Sequence, residues 1–159
     1  MRFERHYPHS REALWLALTG RRALEQAWLE ADFEPQAGRR FTLRDLPRGP
    51  WGGLVRGEVL EAERPAVLRY TWEAGAKGEA STVTWRLFEE GRGARVVFEH
   101  EGFRGVRGRL SSLRLCVAWR AYLLRDLPAA ADLFDRRGPD AAFPSPPRHV
   151  RVGHLVPLG

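Results

Sequence analysis

The chain is predicted to be an α+β domain in which a curved antiparallel sheet wraps around one long C-terminal helix, with two short helices after the first strand. Three observations predict it. Four segments of alternating polar and apolar residues, Leu54–Ala62, Ala66–Glu73, Ala80–Glu89 and Ala94–Phe103, are separated by turn-forming runs such as Glu63-Arg64-Pro65 and Glu90-Gly91-Arg92-Gly93, the pattern of a meander. Two short amphipathic stretches precede them. One long stretch with apolar residues at helical spacing follows. A sheet closed by a single helix is a natural place for an apolar pocket.

Taken in order, Phe3–Tyr7 reads as the first strand, stopped by Pro8, which has no amide hydrogen to give a sheet ladder. Ser10 is placed to cap a helix that carries Leu14, Trp15 and Leu18 on one face, with Glu12 near its positive end. Gly20 breaks that helix, and a second over Arg21–Leu29 sets Leu24 and Trp28 one turn apart under the sheet. A turn at Pro35–Gly38 leads into a strand over Arg39–Arg44, with Phe41 and Leu43 on one face. The loop Asp45–Gly53 is rich in Pro and Gly and carries Trp51, read either as a lid over a cavity mouth or as a plain cover for the end of the core.

Alternation assigns faces to the remaining strands, because side chains point to opposite sides with period two. Leu68, Tyr70 and Trp72 share a face, as do Val83, Trp85 and Leu87, and Val96, Phe98 and His100; these are expected to point inward. Arg69, Thr71, Thr82, Thr84, Arg86, Arg95 and Glu99 are expected outward. Gly102, Gly105 and Gly108 loosen the connection into the long helix, expected over Arg109–Leu127 with an apolar stripe of Leu113, Cys116, Val117, Ala121 and Leu124 and with Leu123 and Leu127 at its edge. Pro128 should end or kink that helix near Asp126, with Ala129–Phe134 a further turn.

Composition bounds the rest. A chain of 159 residues makes one domain, able to bury about 70% of its unfolded surface. The expected division is a folded domain over 1–134 and a Pro- and Arg-rich extension over 135–159, where runs such as Pro144-Ser145-Pro146-Pro147 favour extended backbone. Within that extension His149–Leu158 alternates weakly, which suits an edge strand or a strap across a neighbouring subunit, so a homodimer through the extension is one expected assembly. The net charge is +6, Lys77 is the only lysine, and Ile and Asn are absent. Scarcity of Asn, Gln, Cys and Met is common in heat-adapted proteins, so a thermophilic source is expected. Arginines are interleaved with Asp and Glu and form no continuous basic run, so nucleic acid is not an expected partner. A single cysteine, no leader pattern and no apolar run near 18 residues imply a cytoplasmic protein without a membrane span. Cys116, inside the apolar stripe, reads as a buried inert thiol.

The stretch Glu4-Arg5-His6-Tyr7-Pro8-His9-Ser10-Arg11-Glu12-Ala13-Leu14-Trp15-Leu16-Ala17-Leu18-Thr19, with Leu24 and Trp28 after it, resembles the opening of the START-like superfamily, also called SRPBCC or helix-grip proteins. Further matches follow in order: Pro35-x-x-Gly38 leading to Phe41, Gly57-Glu58-Val59 with Leu68-Arg69-Tyr70-Thr71-Trp72, Ser81-Thr82-Val83-Thr84, and Val96-x-Phe98-x-His100-x-Gly102-Phe103. With Trp119-x-x-x-Leu123-x-x-x-Leu127 in the last helix, they resemble the subfamily named after the activator of the heat-shock protein 90 ATPase. The similarity runs from residue 1 to about 134; it departs at Pro8-His9, where a small residue is usual, and at Ala118, where glycine often precedes the helical tryptophan. The resemblance implies a helix-grip fold with a cavity between sheet and helix, in a superfamily whose members bind lipids, hormones or polyketides or catalyse cyclisation or hydration in that cavity.

The expected function is binding of a small apolar or amphipathic molecule. The alternatives are a cavity enzyme of cyclase, dehydratase or hydrolase type and a co-chaperone or other protein-interaction module. Candidate ligand-binding residues are Phe41, Trp51, Leu68, Tyr70, Trp72, Trp85, Phe98, His100, Trp119 and Leu123. His100 and Tyr70 are the candidate catalytic pair, His100 because it lies inward beside Phe98 where a neutral imidazole meets a bound polar group; the plain alternative is a histidine that satisfies a backbone group. Arg5, Tyr7 and Glu61 also reach toward the pocket in this reading. No metal or other cofactor is expected: His6 and His9 straddle Pro8, His149 and His154 lie in the extension, and Gly102-x-x-Gly105-x-x-Gly108 has the wrong spacing for a dinucleotide loop.

Overall fold

The computed structural model describes residues 1–45, 53–75 and 79–141, and of 106–111 the backbone only. Among the described residues, seven strands form one antiparallel sheet: β1 (Arg2–Tyr7), β2 (Glu30–Asp32), β3 (Arg40–Arg44), β4 (Leu54–Glu63), β5 (Val67–Ala74), β6 (Ser81–Glu90) and β7 (Gly93–Glu101). Their order across the sheet is β1-β7-β6-β5-β4-β3-β2. Helices α1 (Arg11–Thr19) and α2 (Arg21–Ala27) follow β1. The C-terminal helix consists of α3 (Gly105–Ala121), a π-helical turn (Tyr122–Asp126) and α4 (Leu127–Arg137).

The strands follow the alternation closely. Leu68, Trp85 and Phe98 lie in cross-strand register on β5, β6 and β7, and all three are buried. Outward residues pair across strands as ions, Arg86 with Glu99 and Arg95 with Glu4, which disperses the positive charge instead of gathering it into a patch. Thr84, expected outward, is nonetheless buried; its cross-strand neighbours are Arg69 and Glu99, whose long side chains cover a short one. The strand β2 was not foreseen, because three residues show no period; it exists through its pairing with β3, Ala31 opposite Leu43.

At α1 the expected cap is present: Ser10 Oγ accepts from the Ala13 amide at 3.1 Å. The same hydroxyl donates to Asp135 Oδ1 at 2.6 Å, and the Ser10 amide donates to Asp135 Oδ2, so α4 is held to the start of α1. Ala141 is buried as well, so the packed body runs several residues past 134. Residues 46–52, with the expected Trp51 lid, and 142–159 lie outside the described residues.

The long helix differs from expectation in start, face and end. It begins at Gly105, so the glycines at 105 and 108 belong to it. Its outer face carries Leu113, Val117 and Leu124, at 66%, 62% and 47% exposure, although all three were read as core; Cys116 is half-buried. The buried line runs instead through Ala118, Trp119, Leu123 and Leu127. The helix is apolar on two sides, so periodicity alone does not choose between them, and the large Trp119 ring takes the inward one.

Pro128 does not end the helix. The Leu127 amide bonds back five residues to the Tyr122 carbonyl, opening a π turn just before the proline, and Pro128 then sits in the first turn of α4. In that register the Leu123 carbonyl faces Pro128, which has no N–H to give. The Tyr7 hydroxyl donates to Leu123 O instead, at 2.7 Å. Tyr7→Phe should therefore leave a buried carbonyl unmet and cost about 1–3 kcal/mol in chemical denaturation. In a Pro128→Ala background, where a backbone amide becomes available, a double-mutant cycle should show a smaller loss.

Glycine 57 has a separate constraint. A Cβ there would collide with the Thr71 carbonyl and with the Phe41 ring, which lies directly opposite on β3. Gly57→Ala should force β4 away from its neighbours and lower stability by about 1–3 kcal/mol, read from the urea midpoint.

Candidate functional site

The inward face of the sheet brings the expected rings together beneath α3 and the π turn. Phe98 lies 4.5 Å from Trp85 and 4.7 Å from Trp119 between ring centroids. Trp72 lies 5.4 Å from Trp119, and Tyr122 stands against both Trp85 and Trp119. A second group, Phe33, Phe41 and Tyr70, meets edge to face, and the Trp85 indole joins the two groups by donating to Tyr70 Oη at 3.1 Å. Leu68 and Leu123 are buried in the same cluster. Trp51 falls outside the described residues.

His100 is fully buried, and both of its ring nitrogens are engaged. Trp119 Nε1 donates to Nδ1 at 3.0 Å. An indole nitrogen is a donor only, so Nδ1 must carry the lone pair and Nε2 the proton. Nε2 therefore donates to Ser81 Oγ at 2.8 Å, and Ser81 in turn donates to the Trp72 carbonyl at 3.0 Å. A one-way chain of hydrogen bonds thus crosses from α3 through β7 and β6 to β5. Burial, and secondarily the Met1 ammonium that bonds the His100 carbonyl, push the imidazole pKa down to about 3. With its lone pair occupied, His100 is a neutral structural bridge at ordinary pH rather than a free proton acceptor.

The phenols behave alike. Burial raises Tyr7 to about 12 against a lowering by Arg5, and burial drives Tyr70 and Tyr122 higher still, so all three remain protonated. The surface formed by these rings, His100 and the phenols is therefore aromatic and uncharged. One atom in it stands apart: Trp72 Nε1 is buried without a hydrogen-bond partner.

Four members of the cluster were not among the expected site residues. Ser81 was readable, since alternation places it inward with Val83 and Trp85, opposite Trp72. Phe103 packs on His100 at 4.6 Å from just beyond β7, and Phe33 and Tyr122 come from a loop and the π turn, where no period marks a face. Of the polar residues expected to reach the pocket, Tyr7 does reach the interior, while Glu61 pairs with Arg69 on the sheet surface. Among the described residues no group of three His, Cys, Asp or Glu is arranged to hold a metal; His6 approaches the Glu90 carbonyl and His9 pairs with Asp135. No described helix is long and apolar enough to cross a membrane.

α3 covers this face unevenly. From Ser112 to Val117 no residue is buried, whereas Ala118 and Trp119 are. Its last turn is closed over the sheet at Ala118 and Trp119, and the preceding turn and a half is not.

The burial of His100 has a pH signature. An unfolded histidine takes up its proton near pH 6.5, while the folded one resists down to about pH 3, so the unfolded state binds the extra proton first as pH falls. The stability that depends on neutral His100 is full above pH 6.5 and is lost progressively toward pH 3. Urea midpoints measured between about pH 7 and pH 5 should fall for the native protein and fall less for His100→Gln, which stays neutral throughout.

Comparison with known proteins places this architecture. A model of the Activator of Hsp90 ATPase homolog 1-like protein family matches residues 8–131. A search of the curated proteins returned no match. Among solved structures, protein MLL2253 from Mesorhizobium loti is similar at 29% identity, with a TM-score of 0.71 over 83% of this chain and 96% of that one. CalU16 from Micromonospora echinospora is 22% identical, with a TM-score of 0.62 over 87% of this chain and 79% of its own. The Aha1 dimer from Colwellia psychrerythraea is 15% identical, with a TM-score of 0.64 over 87% of this chain and 96% of its own. With its family model spanning β1's end to α4, and with the grip of sheet on helix that the sequence led us to expect, the chain belongs to the Activator of Hsp90 ATPase homolog 1-like family.

Proposed function

We propose that the protein binds a small, largely apolar molecule between the concave face of its sheet and α3. The observation that carries this reading is the pairing of an uncharged aromatic surface with a helix that leaves Ser112–Val117 unsealed above it. An apolar ligand entering from that side exchanges water for ring surface at about 25 cal/mol per Å² of area removed from solvent. Leu115 and Cys116, half-buried on α3, border the path. Tyr70 and His100 then serve as walls of the site, one held by Trp85 and the other by Trp119 and Ser81.

Titration with the neutral probe N-phenyl-1-naphthylamine should give saturable enhancement of probe emission with matched quenching of tryptophan emission. Leu115→Trp, which fills the unsealed side, should weaken probe binding about tenfold or more while leaving the melting temperature nearly unchanged. Absence of saturable binding, together with native mass spectra showing no co-purified lipophile, would overturn the reading.

A further inference from the structure

Among the described residues, Trp72 Nε1 is the one buried side-chain nitrogen or oxygen left without a hydrogen bond. Such atoms are rare in folded proteins, because a donor stripped of water and given no acceptor is destabilising. Its indole is 5% exposed and lies two residues from the end of β5, facing Trp119, His100 and Trp28. The neighbouring acceptors already serve others: His100 Nδ1 takes the Trp119 indole, and Ser81 Oγ takes the proton of His100. Trp119 and Trp85, the other indoles of this face, are both paired within the protein. Among the described residues, Trp72 is the one that keeps a buried donor in reserve.

We infer that Trp72 Nε1 is the hydrogen-bond donor by which this site recognises its ligand, and that the ligand is an uncharged, mainly apolar molecule carrying one ketone, ester or ether oxygen. The inference rests on the binding reading above and names the class of molecule bound. A single neutral N–H does not offset the desolvation of a carboxylate or phosphate. Among the described residues no arginine or lysine is buried, and the Met1 ammonium is engaged by the His100 carbonyl at 2.7 Å. A cation would meet a donor of the wrong polarity. A hydrocarbon fits the rings but leaves the indole unmet, whereas an acceptor oxygen completes the set.

The test compares 2-acetylnaphthalene with 2-ethylnaphthalene, which have nearly the same shape and differ in having a carbonyl or a methylene. Trp72 is replaced by 3-benzothienylalanine, which keeps the indole's outline and substitutes sulfur for the N–H, and in parallel by Phe. The expected result with the benzothienyl variant is a loss of about tenfold in affinity for the ketone with the hydrocarbon unaffected. Trp72→Phe should lose ketone binding by a larger factor than hydrocarbon binding. The carbonyl stretch of the bound ketone should lie at lower frequency in the native protein than in the benzothienyl variant, and the ligand-free variant should be no less stable, because the donor it lacks had no partner. Equal effects on the two ligands, or unchanged ketone affinity, would overturn this inference and leave the binding reading standing. Failure of both compounds to bind the native protein would overturn both.

Discussion

The structure depends on a single file of hydrogen bonds that begins on the roof and ends in the floor: Trp119 to His100, His100 to Ser81, Ser81 to the backbone of Trp72. Apolar packing alone lets a helix slide or rotate over a sheet, since greasy contacts are not directional. A donor that must meet one ring nitrogen does not allow this. The file fixes α3 in rotation and in register at Trp119, and the rings of Phe98, Trp85 and Trp72 take their places around that point. It also explains a histidine at a fully buried position, where a neutral imidazole accepts at one ring nitrogen and donates at the other, so that neither is left unmet.

Polar groups inside this domain are few, and they are arranged by polarity. The Trp85 indole feeds Tyr70, the Trp119 indole feeds His100, and the Tyr7 hydroxyl feeds a helix carbonyl. None of these links requires an ion. That arrangement fits the binding reading proposed above, in which recognition rests on shape and on single directional bonds, better than a reaction built on proton transfer.

Much of this was legible in the sequence wherever side chains alternate. The inward set from Leu68 to His100 followed from period two, and Ser10 announced its helix through its neighbours. What stayed hidden depended on partners far along the chain. Leu113 and Val117 look as apolar as Leu123, and only the inward turn of Trp119 separates roof from exterior. His100 could be placed inward, but its tautomer is decided by an indole from α3 and its second bond by a serine from β6. Pro128 looked like a stop because the local rule is sound; the hydroxyl that relieves the next carbonyl comes from β1. The strand β2 has no pattern of its own and is defined by the edge it joins.

That link from Tyr7 to Leu123 spans 116 positions of sequence, and the bonds of Asp135 to Ser10 span 125. Both closing pieces come after the last strand in the chain. Once β7 is made, the nascent chain therefore holds a finished set of strands that still lacks the final helix over its ringed side, a state prone to sticking to its own kind. Arrival and docking of the helix at Gly105–Arg137 ends that exposure, so the pace at which this stretch is translated bears directly on how much protein reaches the folded form.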